Sequence, residues 1–186
     1  LTTDRNGYDA TNPNFEVEHI TTYGVAFPQS MLFLLPLIYS NGGQVASDDG
    51  RKLLLNQPAA VDALQKMQDL IYRYHVAPTP STLESMPAAS FMLQTGKVAM
   101  DIGGHWEILD LSQMGFDWGI GVLPYFKQPT TIICGPALGI FTSSKHPDEA
   151  FQLFKALGDT TSNDLFSNGL WMPLHLEDYT DPIRIN

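Results

Sequence analysis

The chain has 186 residues, of which 44% are hydrophobic and 16% charged. That is the length of one domain, or of one large lobe with pieces of another, and the composition supports a packed core rather than disorder. Its 20 acidic against 10 basic residues give a formal net charge of −10. This argues against nucleic acid and against an anionic membrane surface, because both partners need a basic patch.

Residues 1–14 (LTTDRNGYDATNPN) are rich in turn formers and predict a loop. The stretch DRNG fails as a calcium loop, because Pro13 stands where the bidentate acid would be. Phe15 to Phe27, with Val17, Ile20, Tyr23 and Val25, predicts a strand that Pro28 ends. Gln29 to Tyr39 is apolar on most sides and predicts a buried helix disturbed at Pro36, stopped by Asn41-Gly42-Gly43. Even this run falls short of the ~18–20 apolar residues of a membrane span. Ser47 to Gly50 reads as a turn and Leu53 to Leu55 as a short strand or bridge. A helix follows from about Pro58 to Tyr74, capped by Asn56, with Val61, Leu64, Met67, Ile71 and Tyr74 on its buried face.

The proline-rich stretch APTPSTLESMP reads as a loop long enough to line a site. Ala88 to Gln94 predicts a short helix with Gly96 after it, and Val98 to Ile102 a strand. Gly103-Gly104 then turns the chain into a helix from His105 to Leu111. Trp118, Ile120 and Val122 alternate as a strand ended by Pro124, and Ile132 to Phe141 as another. The last clear helix, Pro147 to Leu157, has Ala150, Phe151, Phe154 and Leu157 as its expected buried face. Strands alternating with helices predict an α/β layered fold.

Nothing in this pattern asks for a cofactor or a metal. No P-loop, G-x-G-x-x-G, G-x-S-x-G, H-E-x-x-H or C-x-x-C is present. The five histidines lie far apart, so none is expected to ligate a metal. Cys134, the single cysteine, is expected to be a buried inert thiol. Two tryptophans stand out. Trp106 follows the glycine pair and Trp171 lies between Gly169 and Pro173. An exposed indole is flat and stacks on the C–H face of a pyranose ring, while backbone donors at a helix start meet the hydroxyls. Core packing is the competing role for Trp106, and Trp118, inside an alternating run, is read as core.

Three runs carry a resemblance: ASFMLQTGKVAMDIGGHW, FDWGIGVLPYF and GPALGIFTSSKHPDEAFQLFKAL. In this order and at this spacing they resemble the extracellular solute-binding proteins of ABC importers, in the sugar-binding group that includes maltose-binding proteins. LTTDRNG, LPLIYSNGG and SNGLWMP are weaker echoes that extend the resemblance over nearly the whole chain. It implies a periplasmic-binding-protein-like type II lobe, layered helix/sheet/helix. Residues 15–122 with 171–186 would form the second, C-terminal lobe of a two-lobed protein. Residues 123–161 would cross the hinge at Leu123-Pro124 and pack on a first lobe that lies outside this chain. The start at Leu1 reads as a processed chain or an excised fragment.

The same resemblance implies a non-enzymatic carbohydrate carrier outside the cytoplasmic membrane, periplasmic or a surface lipoprotein. It would be monomeric in full-length form, close on its ligand about a hinge, and deliver it to a membrane permease. Trp106 matches a sugar-stacking tryptophan, Trp171 a cleft aromatic, and Gly104 and His105 flank the first ring with polar contacts. Ser30 and Leu32 stand near positions that hold a carboxylate and a tyrosine in maltose binders, and Met86 near an aromatic one. These departures argue against maltose-like specificity. A polyamine or peptide binder, with Glu84 and Glu107 as its carboxylates, and an inactive isolated lobe remain the alternatives.

Overall fold

The computed structural model describes residues 1–28, 30–135 and 138–158. Its elements are β1 (Thr3–Asp4), a 3-10 turn (Val17–His19), β2 (Ile20–Thr22), α1 (Met31–Ser40), α2 (Pro58–Tyr72), α3 (Pro80–Ser85), α4 (Ala89–Gln94), α5 (Glu107–Gln113) and α6 (Pro147–Gly158). The chain divides into two compact units. One comprises Leu1–Gly103 and Phe116–Ile133. The other comprises Gly104–Gly115 and, among the described residues, those from Cys134 to Gly158.

In the first unit, β1 and β2 form an antiparallel pair. The loop expected over residues 1–14 is organised by Asp4, whose carboxylate accepts the backbone N–H groups of Asn6 (2.8 Å), Tyr8 (2.9 Å) and Glu16 (3.0 Å). The carboxylate is thus occupied by local amides, and Asp4 is only 2% exposed.

The segment after β2 forms the central layer. Tyr23 and Ala26 pair in parallel with Val98 and Asp101. Tyr23 N–H donates to Lys97 O, Ala99 N–H to Tyr23 O, Ala26 N–H to Met100 O and Ile102 N–H to Ala26 O, each at 2.9 Å. That evenly spaced, slanted pattern is a parallel ladder. On the other side, Val25 N–H donates to Val76 O at 3.1 Å. Ala26 and Phe27 face opposite sides, as strand alternation requires, whereas Val98 and Ile102, four apart, pack into different clusters because isolated bridges rather than a regular strand join this layer. Phe27 and Ile102 pack with Leu37 of α1 and Met67 and Ile71 of α2. Ala26 and Val98 pack with Met92 of α4, flanked by Leu83 and Met86. Helices therefore cover both faces, giving the helix/sheet/helix layering of an α/β lobe.

The α1–α2 contact is tight. Ile38, Ala60 and Ala63 are fully buried against one another. A Cβ on Gly43 would meet Ile38 Cγ2 at 2.9 Å and the backbone of Ala60 at 3.0 Å, so the expected stop signal also serves close packing. The buried face of α2 is Ala60, Ala63, Met67 and Ile71, whereas Val61 and Tyr74 are each 50% exposed. The expected face was right at Leu64, Met67 and Ile71 and wrong at Val61 and Tyr74, because small alanines face α1. Gln57, not Asn56, occupies the N-cap position, and no side chain bonds there. The loop expected across APTPSTLESMP contains α3, started by Pro80 and capped by the Thr79 hydroxyl, which accepts Thr82 N–H at 3.2 Å.

Downstream, two expected strands are not formed among the described residues. Ile120 and Val122 are 75% and 82% exposed, and Ile133 and Phe141 are 90% and 84% exposed. Alternation supplies a face but no ladder partner, and unpaired backbone does not make a strand. Trp118 is half-buried rather than core, and Cys134 is exposed rather than buried. In the second unit α6 forms as expected, but Phe151, Phe154 and Leu157 are exposed.

Candidate functional site

Trp106 sits at the N-cap position of α5. The glycine pair Gly103-Gly104 precedes it, and Gly104 O accepts Glu107 N–H in the turn that starts the helix. A Cβ on Gly104 would run into Cη2, Cζ2 and Cζ3 of the indole. The ring therefore lies across Gly104, and only glycine at that position admits it. Trp106 as a whole is 44% exposed. A braced, partly exposed indole has the flat apolar surface on which a ligand face can stack. His105, between them, is exposed.

The donors expected at the start of α5 are partly committed. Glu107 N–H donates to Gly104 O at 3.0 Å and Ile108 N–H to His105 O at 3.2 Å. A ligand hydroxyl cannot use these two groups without breaking the first turn. The amides of Gly104 and His105 themselves donate to no backbone carbonyl among the described residues.

The remaining candidates lie elsewhere. Ser30 and Glu84 belong to the first unit, whereas Gly104, His105 and Trp106 belong to the second. Ser30 is exposed at the N-cap position of α1, where its carbonyl accepts Phe33 and Leu34 N–H at 3.0 and 3.1 Å while its side chain caps nothing. Glu84 is exposed on α3. Met86 packs beside Ala26, Met92 and Val98, which is a core role. Glu107 is half-buried in the first turn of α5. Trp171 lies outside the described residues. The first unit also carries an open groove of about 530 Å³ lined by Asn12, Phe15, Leu70, Arg73, Tyr74 and His75 among others. Sequence reasoning missed it, because Tyr74 was placed on the buried face of α2 and residues 1–14 were read as plain loop. The signal was the polar-aromatic run Tyr72–His75 closing the helix.

Helices on both faces of a parallel-paired layer define a class: a layered α/β lobe. The bacterial extracellular solute-binding protein family matches residues 11–163, and the chain belongs to that family. It is a solute-binding family rather than a catalytic one.

Solved structures agree. The chain is similar to M. tuberculosis UspC, with 25% identity and a TM-score of 0.68 over 98% of this chain and 46% of that one. It is also similar to maltose-bound T. maritima MalE3, with 25% identity and a TM-score of 0.72 over 86% and 44%. The ABC substrate-binding protein Lmo0181 from Listeria monocytogenes, in complex with cycloalternan, shares the fold with a TM-score of 0.74 at 18% identity, over 89% and 43%. The chain thus spans less than half the length of each of these proteins. Among the described residues, no helix is long and apolar enough to cross a membrane.

Proposed function

We propose that this chain is the larger part of the C-terminal lobe, with the hinge crossing, of a carbohydrate-binding subunit of an ABC importer. Residues 15–122 with 171–186 form the lobe, and 123–161 cross to and pack on a first lobe. The observation that carries this reading is the indole of Trp106, braced on Gly104 and 44% exposed, within the stretch matched by the solute-binding family. Maltose and cycloalternan, the ligands of two similar proteins, both present pyranose faces for such a ring.

In this mechanism the sugar stacks on Trp106, with Gly104 and His105 as the polar contacts beside it and Trp171 as a second aromatic. Closure of the two lobes adds contacts that the open form lacks, so ligand shifts the open–closed equilibrium. The closed form is what the permease recognises. The carrier works outside the cytoplasmic membrane, in a periplasm or as a surface lipoprotein, and catalyses nothing.

Titration calorimetry of the two-lobed protein against maltose, maltotriose, cycloalternan and spermidine tests this. Micromolar or tighter binding of one saccharide is expected. Trp106→Ala should lose about 10–100-fold in affinity, because a stacked aromatic–ligand contact contributes about 1–3 kcal/mol. Binding of spermidine alone would favour the polyamine reading. Saccharide binding unchanged in Trp106→Ala would place the ring outside the site.

A further inference from the structure

The last carbonyls of α1 lack partners within their own helix. Here they are met by residues far along the chain. Ser40 O accepts the N–H groups of Lys127 and Gln128 at 3.0 and 3.1 Å. The Ser40 hydroxyl donates to Leu37 O at 2.8 Å and accepts Phe126 N–H at 3.2 Å. The Lys127 ammonium donates to Asn41 O at 3.0 Å. A cation at a helix C-terminus also complements the helix dipole.

A second layer holds the first. Asn41 is fully buried. Its side-chain N–H₂ donates to Ala59 O at 2.8 Å and to Asp62 Oδ2 at 2.9 Å, and its Oδ1 accepts Lys66 Nζ at 3.2 Å. Lys66 is paired with Asp62 at 2.7 Å and lies 5.0 Å from the centroid of the Phe126 ring. Phe126 packs in turn against Ile38, Ala60 and Ala63.

Just beyond, the pattern stops. Pro129 has no N–H to give, and the amides of Thr130 to Ile133 donate to no backbone carbonyl among the described residues. We propose that Ser40, Asn41, Lys66 and Lys127 form a latch that fixes Phe126–Gln128 to the end of α1, so that the chain is free to pivot only beyond Pro129. This rests on the two-lobe reading for its purpose, and it moves the start of the hinge from Leu123-Pro124 to Thr130. Lys127 and Ser40 are then positioning residues. They set the length and stiffness of the crossing without touching ligand.

The test needs no ligand, so its outcome is separate from that of the carbohydrate titration. Amide hydrogen exchange is followed residue by residue in this chain, in Ser40→Ala, and in the exposed-site variants Lys127→Met and Lys127→Arg. In the parent, amides 126–128 should exchange at least about 100-fold slower than amides 130–133, as protected and open backbone do. Lys127→Met and Ser40→Ala should each speed exchange at 126–128 by about tenfold, the effect of losing one charged or buried hydrogen bond. Ile71 in α2 should be unchanged, and Lys127→Arg should retain protection. Equal rates at 126–128 and 130–133 in the parent would overturn the proposal. So would Lys127→Met accelerating Ile71 as much as Gln128, because the residue would then support the fold at large.

Discussion

Gly104→Ala isolates the brace beneath Trp106. The new methyl would occupy space now held by the indole atoms Cη2, Cζ2 and Cζ3. Gly104 does not adopt a left-handed backbone conformation, so alanine brings no dihedral strain and the effect belongs to the ring alone. A tryptophan buries about 150–250 Å² when covered. With Trp106 44% exposed, roughly 85–140 Å² is covered, equivalent to about 2–3.5 kcal/mol at about 25 cal/mol/Å². Gly104 provides only part of that cover, so displacing the ring costs about 1 kcal/mol. Loss of glycine's freedom in the unfolded chain offsets about 0.4–1 kcal/mol. The variant should therefore keep its stability within about 1 kcal/mol of the parent while its indole moves into water. The assay is urea unfolding together with Trp106 emission, in a background where Trp118 and Trp171 are replaced by Phe. A red shift with little change in midpoint is expected. Unchanged emission would show that the ring does not rest on Gly104. A loss beyond about 3 kcal/mol would show it wedged into a core.

Gly43→Ala should behave in the opposite way. Its methyl meets the backbone of Ala60 at 3.0 Å, and backbone cannot swing aside, so urea unfolding should show a loss of about 1–3 kcal/mol. His75, at φ +53°, follows α2 where Val76 N–H returns to Leu70 O at 2.9 Å. A left-handed non-glycine residue costs about 1–2 kcal/mol, and glycine's flexibility takes back about half. His75→Gly should therefore raise stability by about 0.5–1 kcal/mol in the same assay. For Asp4, burial acts to raise the carboxyl pKa, but the N–H groups of Glu16, Tyr8 and Asn6 outweigh it and hold it below 3.8. A depressed folded pKa contributes stability that is complete above the unfolded value and lost as pH falls through the folded one. The stability gap between the parent and Asp4→Asn should therefore narrow as pH drops below about 4. A constant gap down to about pH 2 would refute the role of the charge.

Local chemistry made some of this structure legible. Pro58 and Met67 announced α2, Pro147 announced α6, and Asn41-Gly42-Gly43 announced the end of α1. Pairings distant in sequence were harder. Val98–Ile102, expected as a strand, forms only the isolated bridges at Val98 and Asp101, and their parallel partner, the segment after Thr22, leaves no local mark. The alanines of α2 carried no hydrophobic signal because close approach, rather than apolar bulk, selects them. APTPSTLESMP hid α3 because its prolines looked like breakers, although Pro80 stands where a first turn accepts one. The glycine turn before α5 could be foreseen. That the ring lies on Gly104, and that the carbonyls of Gly104 and His105 take the first donors of α5, depends on three-dimensional placement that spacing does not encode.

The same distinction bears on α6. Its apolar positions Ala150, Phe151, Phe154 and Leu157 fall at helical spacing, which is the pattern of a helix that packs. Phe151 and Phe154 instead stack on each other at 6.1 Å, and the Lys155 ammonium lies 5.3 Å from the Phe151 ring. These contacts cover a little apolar surface without burying it, leaving the two rings 51% and 41% exposed. A helix of 12 residues is marginal in water without tertiary packing. Fully burying an aromatic side chain of this kind contributes about 1.5–3 kcal/mol, so two rings and a leucine together would outweigh the cost of ordering the helix ends. The two-lobe reading supplies the surface that would do this. On that reading α6 belongs energetically to the first lobe although it follows the hinge in sequence. Its stability should then rise when the first lobe is present, while that of α2, already closed around Met67 and Ile71, should not.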